Sequence, residues 1–409
     1  MNAKWPMLFL ILALVLMLCP AKSAHITVGS DGANFKSIQD AVNSSGEGDT
    51  IVVQSGVYLE NVLVDHRVAL HGVGNPVIDA QGRGTPIKLG NSGIIVEGFT
   101  IINSGGSNPG VDITGSVFDF RPISNTTIQR NVIANNSAGV LVSDSEYNVI
   151  KNNIIKNNRQ SGIDLAGAGK NAISNNTVEL NRRGISLTAS SDNEIRNNSI
   201  QGNDEEGILL SNRYLSEVGP SGFSDHNALL DNEIRNNENG ISLNYAENNI
   251  IYHNKLINNR CGILLKTSEN NSILDNAFTD NYENISSVGG SRDDARAGAG
   301  LANYLIGEIF NIFLLLIILT YISILMCLGL ITGFIVRKAL KRGSLSVAAS
   351  SALGAIGSLF GYLLLSYLFP SYDDAVYIVS IILAAVLVAA ANLLMETGAG
   401  KNSGKGPGI

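Results

Sequence analysis

Three residues with side chains suited to catalysis or metal binding recur at a constant interval in the chain. Asp231, His253 and Asp275 follow one another at steps of 22 residues. Carboxylate and imidazole groups ligate divalent metal ions and also act as general acids or bases. If one period of the chain forms one structural layer, these residues stack, and the spacing predicts a metal site or an acid/base pair.

A second set of candidates lies in two segments that interrupt the regular spacing, 114–125 and 211–226. Their aromatic and basic residues are Phe118, Phe120 and Arg121 in the first segment, and Arg213, Tyr214 and Phe223 in the second. Long loops on a rigid scaffold commonly carry binding residues. We therefore predict a ligand-binding surface here, with two unrelated surface loops as the alternative.

The scaffold that must position both sets is a repeat between Thr126 and Asn281. Its template is N-x-I-x-x-N-x-I-x-x-N, a short spacer and G-I-x-L, and its glycines lie 22 or 23 residues apart except for one gap of 33. Alternating aliphatic and polar residues predict short strands with one buried face. Because no stretch suits a crossover helix, we predict that the chain coils into a right-handed parallel β-helix, an all-β solenoid.

Two columns of asparagine are present in every copy of the repeat. The first is Asn131, Asn153, Asn176, Asn198, Asn232, Asn254 and Asn276, and the second is Asn136, Asn158, Asn181, Asn203, Asn237, Asn259 and Asn281. Asparagine tolerates left-handed turns, and its amide can bond the asparagine one coil away. We predict that both columns are structural ladders and not catalytic rows.

Stacked coils place equivalent residues about 4.8 Å apart. Asp231, His253 and Asp275 would then form an exposed row, although tolerated variation in an exposed corner column is the simpler interpretation. The two inserted segments would project from one corner, four coils and about 19 Å apart. Only short turns lie between them, which predicts a groove with aromatic walls suited to a short glycan.

The two ends of the chain indicate export and membrane anchoring. We predict a signal peptide at 1–23 and the β-helix ectodomain with an N-terminal helical cap at 24–285. We also predict a linker at 286–304, a domain of three transmembrane helices at 305–395 and a cytoplasmic tail at 396–409. Basic residues at 337–342 follow the first span, so the positive-inside rule places the β-helix outside the cell.

Charge and cysteine content exclude two further features. A net charge of −7 argues against a nucleic-acid partner, which requires a basic face. Cys261 is the only cysteine of the polar region, so no disulfide framework is predicted there.

The stretch 26–281 resembles the pectin-lyase-like superfamily, in particular the Asn-rich repeats of NosD-type periplasmic proteins and of carbohydrate-binding and sugar-hydrolysis β-helices. The segment 329–395, with Gly357 and Gly361, weakly resembles the transglycosylase-associated membrane protein family. Enzymes of the superfamily use acidic residues outside the coils, with or without calcium, and NosD-type proteins take part in copper-site assembly. This chain has no full pectate-lyase, polygalacturonase or pectin-esterase motif and no Cys/Met/His cluster suited to copper.

Three functions follow from the pattern and the resemblance. The leading hypothesis is a membrane-anchored binding or scaffold module that faces cell-envelope polysaccharide, with membrane proteins as further candidate partners. The second is a carbohydrate-active enzyme, either a lyase, a hydrolase or an epimerase. The third is a NosD-like role in periplasmic copper-site assembly.

Overall fold

The computed structural model describes residues 25–30, 32–115, 121–215 and 219–289. Within them the chain winds into a solenoid of about eleven coils, and almost every coil adds one short strand to each of three parallel sheets. Such strands are too short to form a stable sheet within one coil, so each bonds to the strands above and below it. The predicted all-β parallel β-helix is confirmed.

We name the sheets A, B and C in the order in which a coil passes through them. Sheet A contains His25–Val28, Thr50–Val53, Ala69–Gly72, Ile95–Glu97, Thr127–Gln129, Val149–Lys151, Ala172–Ser174, Glu194–Arg196, Ala228–Leu230, Ile250–Tyr252 and Ser272–Leu274. Sheet B contains Val57–Tyr58, Val77–Asp79, Thr100–Ile102, Val132–Ala134, Ile154–Lys156, Thr177–Glu179, Ser199–Gln201, Glu233–Arg235, Lys255–Ile257 and Ala277–Thr279. Sheet C contains Val62–Val64, Ile87–Leu89, Val111–Thr114, Val140–Ser143, Ser161–Ala166, Arg183–Thr188, Glu206–Ser211, Asn239–Asn244, Cys261–Lys266 and Glu283–Val288.

The core is a set of aliphatic columns inside the coils. In sheet A, Ile128, Ile150, Ile173 and Ile195 are register partners on successive strands, and all four are fully buried. Neighbouring residues of the same strands point outward, as the period of two requires. Burial of these side chains is the main favourable contribution to folding.

A short helix, Ile38–Ser44, covers the N-terminal end of the core. Its Ile38, Ala41 and Val42 are buried, and Ser37 caps its N-terminus by accepting a hydrogen bond from the Asp40 amide. The Glu60 carboxylate accepts two further hydrogen bonds from amides of the first turn. This helix lies where the N-terminal cap was predicted.

Both asparagine columns form continuous ladders of side chains inside the turns, as predicted. In one step, Asn176 donates its backbone amide and its side-chain amide to Oδ1 of Asn198. A third ladder, which was not predicted, runs through the first asparagine of the template and contains Asn148, Asn171, Asn193, Asn227, Asn249 and Asn271.

The ladder asparagines themselves are not the left-handed residues of the turns. The positive φ angles belong to the residue before each ladder asparagine, such as Asn152, Asn175 and Asn197, at 54–56°. Each corner needs one left-handed residue, whose side chain points outward. The next residue, the ladder asparagine, can then point its side chain inward and bond the backbone groups of the turn.

The described residues cover only part of the predicted domain organisation. The last strand, Glu283–Val288, continues past residue 285, so the linker does not begin at residue 286 as predicted. The signal peptide at 1–23, the membrane spans at 305–395 and the tail at 396–409 lie outside the described residues. Among the residues that are described, no helix is long and apolar enough to cross a membrane.

Candidate functional site

The two inserted segments project from one corner of the solenoid, where sheet C passes into sheet A. The first follows the strand Val111–Thr114 and the second follows Glu206–Ser211. Three strands of sheet C separate these two in the sheet order, so the segments are four coils apart. The strand order agrees with the predicted shared corner and the four-coil separation, which corresponds to about 19 Å at about 4.8 Å per coil.

The two segments contain the six residues predicted to bind a ligand. Phe118 and Phe120 lie outside the described residues, and Arg121 is exposed at the end of the first segment. The second segment forms a small antiparallel hairpin, Arg213–Leu215 with Gly219–Gly222, so the backbone of Arg213 and Tyr214 belongs to a strand. Phe223 follows the hairpin, and its side chain is 51% exposed.

The floor of the groove consists of three short turns, 144–147, 167–170 and 189–192. Small residues dominate its middle, because Gly167 and Gly169 occupy one turn and Ala189 the next. A side chain at Gly169 would approach the carbonyl oxygen of Ser191 to 3.0 Å. The middle of the predicted floor therefore carries small residues.

Tyr147 and Lys170 add an aromatic ring and a cation to this floor. The Tyr147 side chain is 50% exposed, and Lys170 Nζ lies 5.2 Å from the centre of its ring. Lys170 also pairs with Glu146 at 3.5 Å. Interaction with Tyr147, and then with Glu146, raises the pKa of Lys170. Neither residue was predicted as part of the site, although a tyrosine directly before a ladder asparagine is unusual among the repeats.

The predicted row Asp231, His253 and Asp275 lies on a different corner, where sheet A passes into sheet B. His253 Nδ1 is 2.7 Å from Asp231 Oδ1, and Arg196 lies 3.8 Å from the same carboxylate. The Tyr252 ring is 5.7 Å from the His253 ring. No hydrogen bond or ion pair within the described residues joins Asp275 to this pair.

The backbone explains why this column carries these residue types. Asp231, His253 and Asp275 have φ angles of 55°, 58° and 52°, and Asn, Asp and His are the non-glycine residues most enriched in that region. In the described part of the chain, no three Asp, Glu, His or Cys side chains are close enough together to hold a metal ion. The row is therefore not assembled as a three-ligand metal site.

A cluster of polar side chains around one carboxylate, that of Glu97, lies on the outer face of sheet A and was not predicted from the sequence. Glu97 bonds His71 through one oxygen and both Gln129 and Arg130 through the other, and its side chain is only 13% exposed. These residues come from three successive coils, so the cluster clamps the coils together. All three partners lie within hydrogen-bond reach only because the coils are in register.

Asp164 lies on sheet C between the two inserted segments and points outward. Burial raises the pKa of its carboxyl, whereas a hydrogen bond with Ser186 and the nearby Arg183 lower it. Asp112 occupies the equivalent outward position on sheet C two coils away. Neither residue was predicted as part of the site, because single aspartates at outward strand positions have no distinctive spacing.

Comparison with known proteins gives the family of this fold. The family model described as "Right handed beta helix region" matches two overlapping stretches, 55–223 and 116–278, which together cover more than half of the chain. The chain is also similar to a "Cell surface glycoprotein" of Methanothermus fervidus, with 30% identity over 200 residues. This match covers 41% of the chain and 32% of the relative, which is about a third of that protein.

Solved structures with similar coils include proteins named for activity on carbohydrates. The A-module of the Azotobacter vinelandii mannuronan C-5 epimerase AlgE4 has a TM-score of 0.51 at 19% identity, covering 58% of this chain and 70% of that one. The pectate lyase Pel9A has a TM-score of 0.45 at 13% identity, covering 68% and 82%. At these identities the likeness is one of fold.

Proposed function

This chain belongs to the right-handed β-helix family, and we propose that it is a membrane-anchored surface protein that binds cell-envelope polysaccharide. The binding site is the groove on the corner between sheets C and A. The signal peptide predicted at 1–23 and the spans predicted at 305–395 would hold the β-helix outside the cell. Similarity to a cell surface glycoprotein supports this location.

The observation that carries the proposal is the placement of the two inserted segments. They leave the same corner four coils apart, and only short turns lie between them. Tyr147 on the floor and Phe223 on the far wall expose half of their side chains. Aromatic faces suit the C–H faces of sugar rings, and Lys170 and Glu146 are placed to bond hydroxyl groups.

A glycan-binding screen tests this proposal. The purified full-length chain is applied to an array of envelope polysaccharides, and hits are measured again with Tyr147→Ala and Phe223→Ala. Loss of either ring should weaken binding about tenfold or more, which corresponds to about 1.4 kcal/mol. Tyr282→Ala is the matched control, because this tyrosine is 90% exposed but lies on the last coil, away from the groove. Unchanged binding by both groove variants would refute the proposal.

A second candidate function is catalysis on a carbohydrate at the corner between sheets A and B. The hydrogen bond between Asp231 and His253 orients the imidazole and leaves Nε2 free to exchange a proton. Arg196 beside the pair would balance negative charge on a substrate. Product analysis by mass spectrometry after incubation with each bound glycan tests for turnover. Turnover that Asp231→Asn abolishes and Asp275→Asn leaves intact would establish this function; turnover unaffected by Asp231→Asn would place the chemistry elsewhere.

A further inference from the structure

Seven N-x-S/T motifs begin within the described residues, and all of their asparagines are exposed. They begin at Asn43, Asn125, Asn135, Asn175, Asn197, Asn270 and Asn284. No buried ladder asparagine begins such a motif, and the solenoid explains why. In two of the three ladders, the residue two positions after the ladder asparagine is an apolar residue that points into the core, so it supplies no hydroxyl group. In the column from Asn136 to Asn281 that position is occupied by Ala, Gln, Arg, Glu, Asn or Cys, which also lack a hydroxyl group. The motifs are therefore confined to positions that an enzyme can reach.

Asn175 and Asn197 occupy equivalent positions on successive coils of the corner between sheets A and B. Both are in the left-handed region, with φ of 55° and 54°, which turns their side chains away from the core. Neither carboxamide has a hydrogen-bond partner within the described residues. The next residue in each motif is a buried ladder asparagine, and the third begins a strand of sheet B with an outward, half-buried hydroxyl, Thr177 or Ser199.

We propose that Asn175 and Asn197 are N-glycosylation sites, an inference that rests on the proposed extracytoplasmic location. The carboxamide nitrogen forms a bond to the anomeric carbon of a glycosyl donor carried on a lipid phosphate. The bond from that carbon to the phosphate oxygen breaks, the phosphate leaves with the electron pair, and the amide releases one proton. No oxidation or reduction takes place.

Two other exposed asparagines are less suitable. Asn135 begins a motif, but its hydroxyl residue Ser137 is buried and accepts a hydrogen bond from Gln160. Asn152 lies one coil before Asn175 with the same backbone, at φ of 56°, but Ile154 stands where the hydroxyl is needed. Asn152 is therefore a matched control that differs in the third residue of the motif.

Glycans on Asn175 and Asn197 would affect the two candidate functions differently. The corner between sheets A and B lies across sheet A from the proposed groove, so these glycans would be attached on the opposite side of that sheet from the binding site. Asn197 is one coil from Asp231, at about 4.8 Å per coil. A glycan on Asn197 would cover the Asp231–His253 pair, so modification favours binding over catalysis at that corner.

Glycopeptide mapping of the full-length chain from its native cells tests the inference. We expect a glycan on the peptides of Asn175 and Asn197 and none on Asn152. Thr177→Val should abolish modification of Asn175, and Ile154→Thr should introduce it at Asn152, because residue 154 is an exposed outward position. Ile and Thr are both β-branched, so this strand tolerates the exchange.

Two results would overturn the inference. One is the absence of glycan from both Asn175 and Asn197, and the other is modification that persists in Thr177→Val. A chain that binds polysaccharide but lacks these glycans would refute this inference alone. A glycosylated chain that binds nothing would refute the proposed groove and leave the modification sites standing.

Discussion

Replacement of one ladder asparagine should destabilise the solenoid far more than replacement of its exposed neighbour. Asn198 accepts two hydrogen bonds from Asn176 and donates two, to the carbonyl of Ile173 and to Asn232, all at 3.0 Å. Asn198→Ala removes all four. At about 1 kcal/mol for each neutral hydrogen bond, the free energy of unfolding should fall by about 4 kcal/mol.

The matched control is Asn197→Ala, one residue earlier in the same turn. Asn197 is exposed, and its side chain has no hydrogen-bond partner among the described residues. Its left-handed backbone makes the exchange cost about 1 kcal/mol, because alanine is less tolerant of that region. Chemical denaturation followed by circular dichroism gives the comparison, and Asn197→Gly should cost less than Asn197→Ala since glycine accepts positive φ.

Hydrogen exchange localises the effect. The backbone amide of Asn176 donates to the Asn198 side chain, so it should lose protection in Asn198→Ala and keep it in Asn197→Ala. Equal losses of stability in the two variants, or an Asn176 amide that stays protected, would refute the reasoning that the ladder holds the turns together.

Three further predictions concern packing, pH and thiol chemistry. Gly184→Ala should be strongly destabilising, since the new methyl group would lie 2.3 Å from a backbone oxygen of the next coil, whereas Gly46→Ala meets only a side-chain atom at 3.7 Å and should be near neutral in thermal unfolding. Burial raises the pKa of Asp164, so its favourable contribution to stability is present below its unfolded pKa and lost as pH rises through the folded value. Asp164→Asn should therefore raise the melting temperature at pH about 7 and have little effect at pH about 3, below the ordinary carboxyl range. Burial, and then Glu283, raise the pKa of Cys261, whose side chain is 5% exposed, so iodoacetamide should label it about tenfold or more faster in denaturant than in the native protein.

The repeat alone determined the fold because its period is a physical constraint. Aliphatic residues alternating with polar ones bury one face of each strand, and only coil-on-coil stacking satisfies such short strands. For the same reason the sequence predicted that Asn153 and Asn176 stack and that the segments 114–125 and 211–226 leave the same corner. The spacing of Phe35, Ile38, Ala41 and Val42 also predicted a helical cap, because a helical face shows in the spacing, although the helix begins only at Ile38.

The sequence did not determine which outward side chains meet, because every exposed column looks alike along the chain. The spacing predicted Asp231, His253 and Asp275 as one row, whereas among the described residues a hydrogen bond joins Asp231 to His253 and none joins Asp275 to them. The pair lies across sheet A from the proposed groove. The Glu97 cluster depends on coils in register and on the reach of Arg130, neither of which has a local signature. Core positions are fixed by a period that the chain itself displays, but contacts between surface side chains depend on rotamers and neighbours that only the tertiary structure brings together.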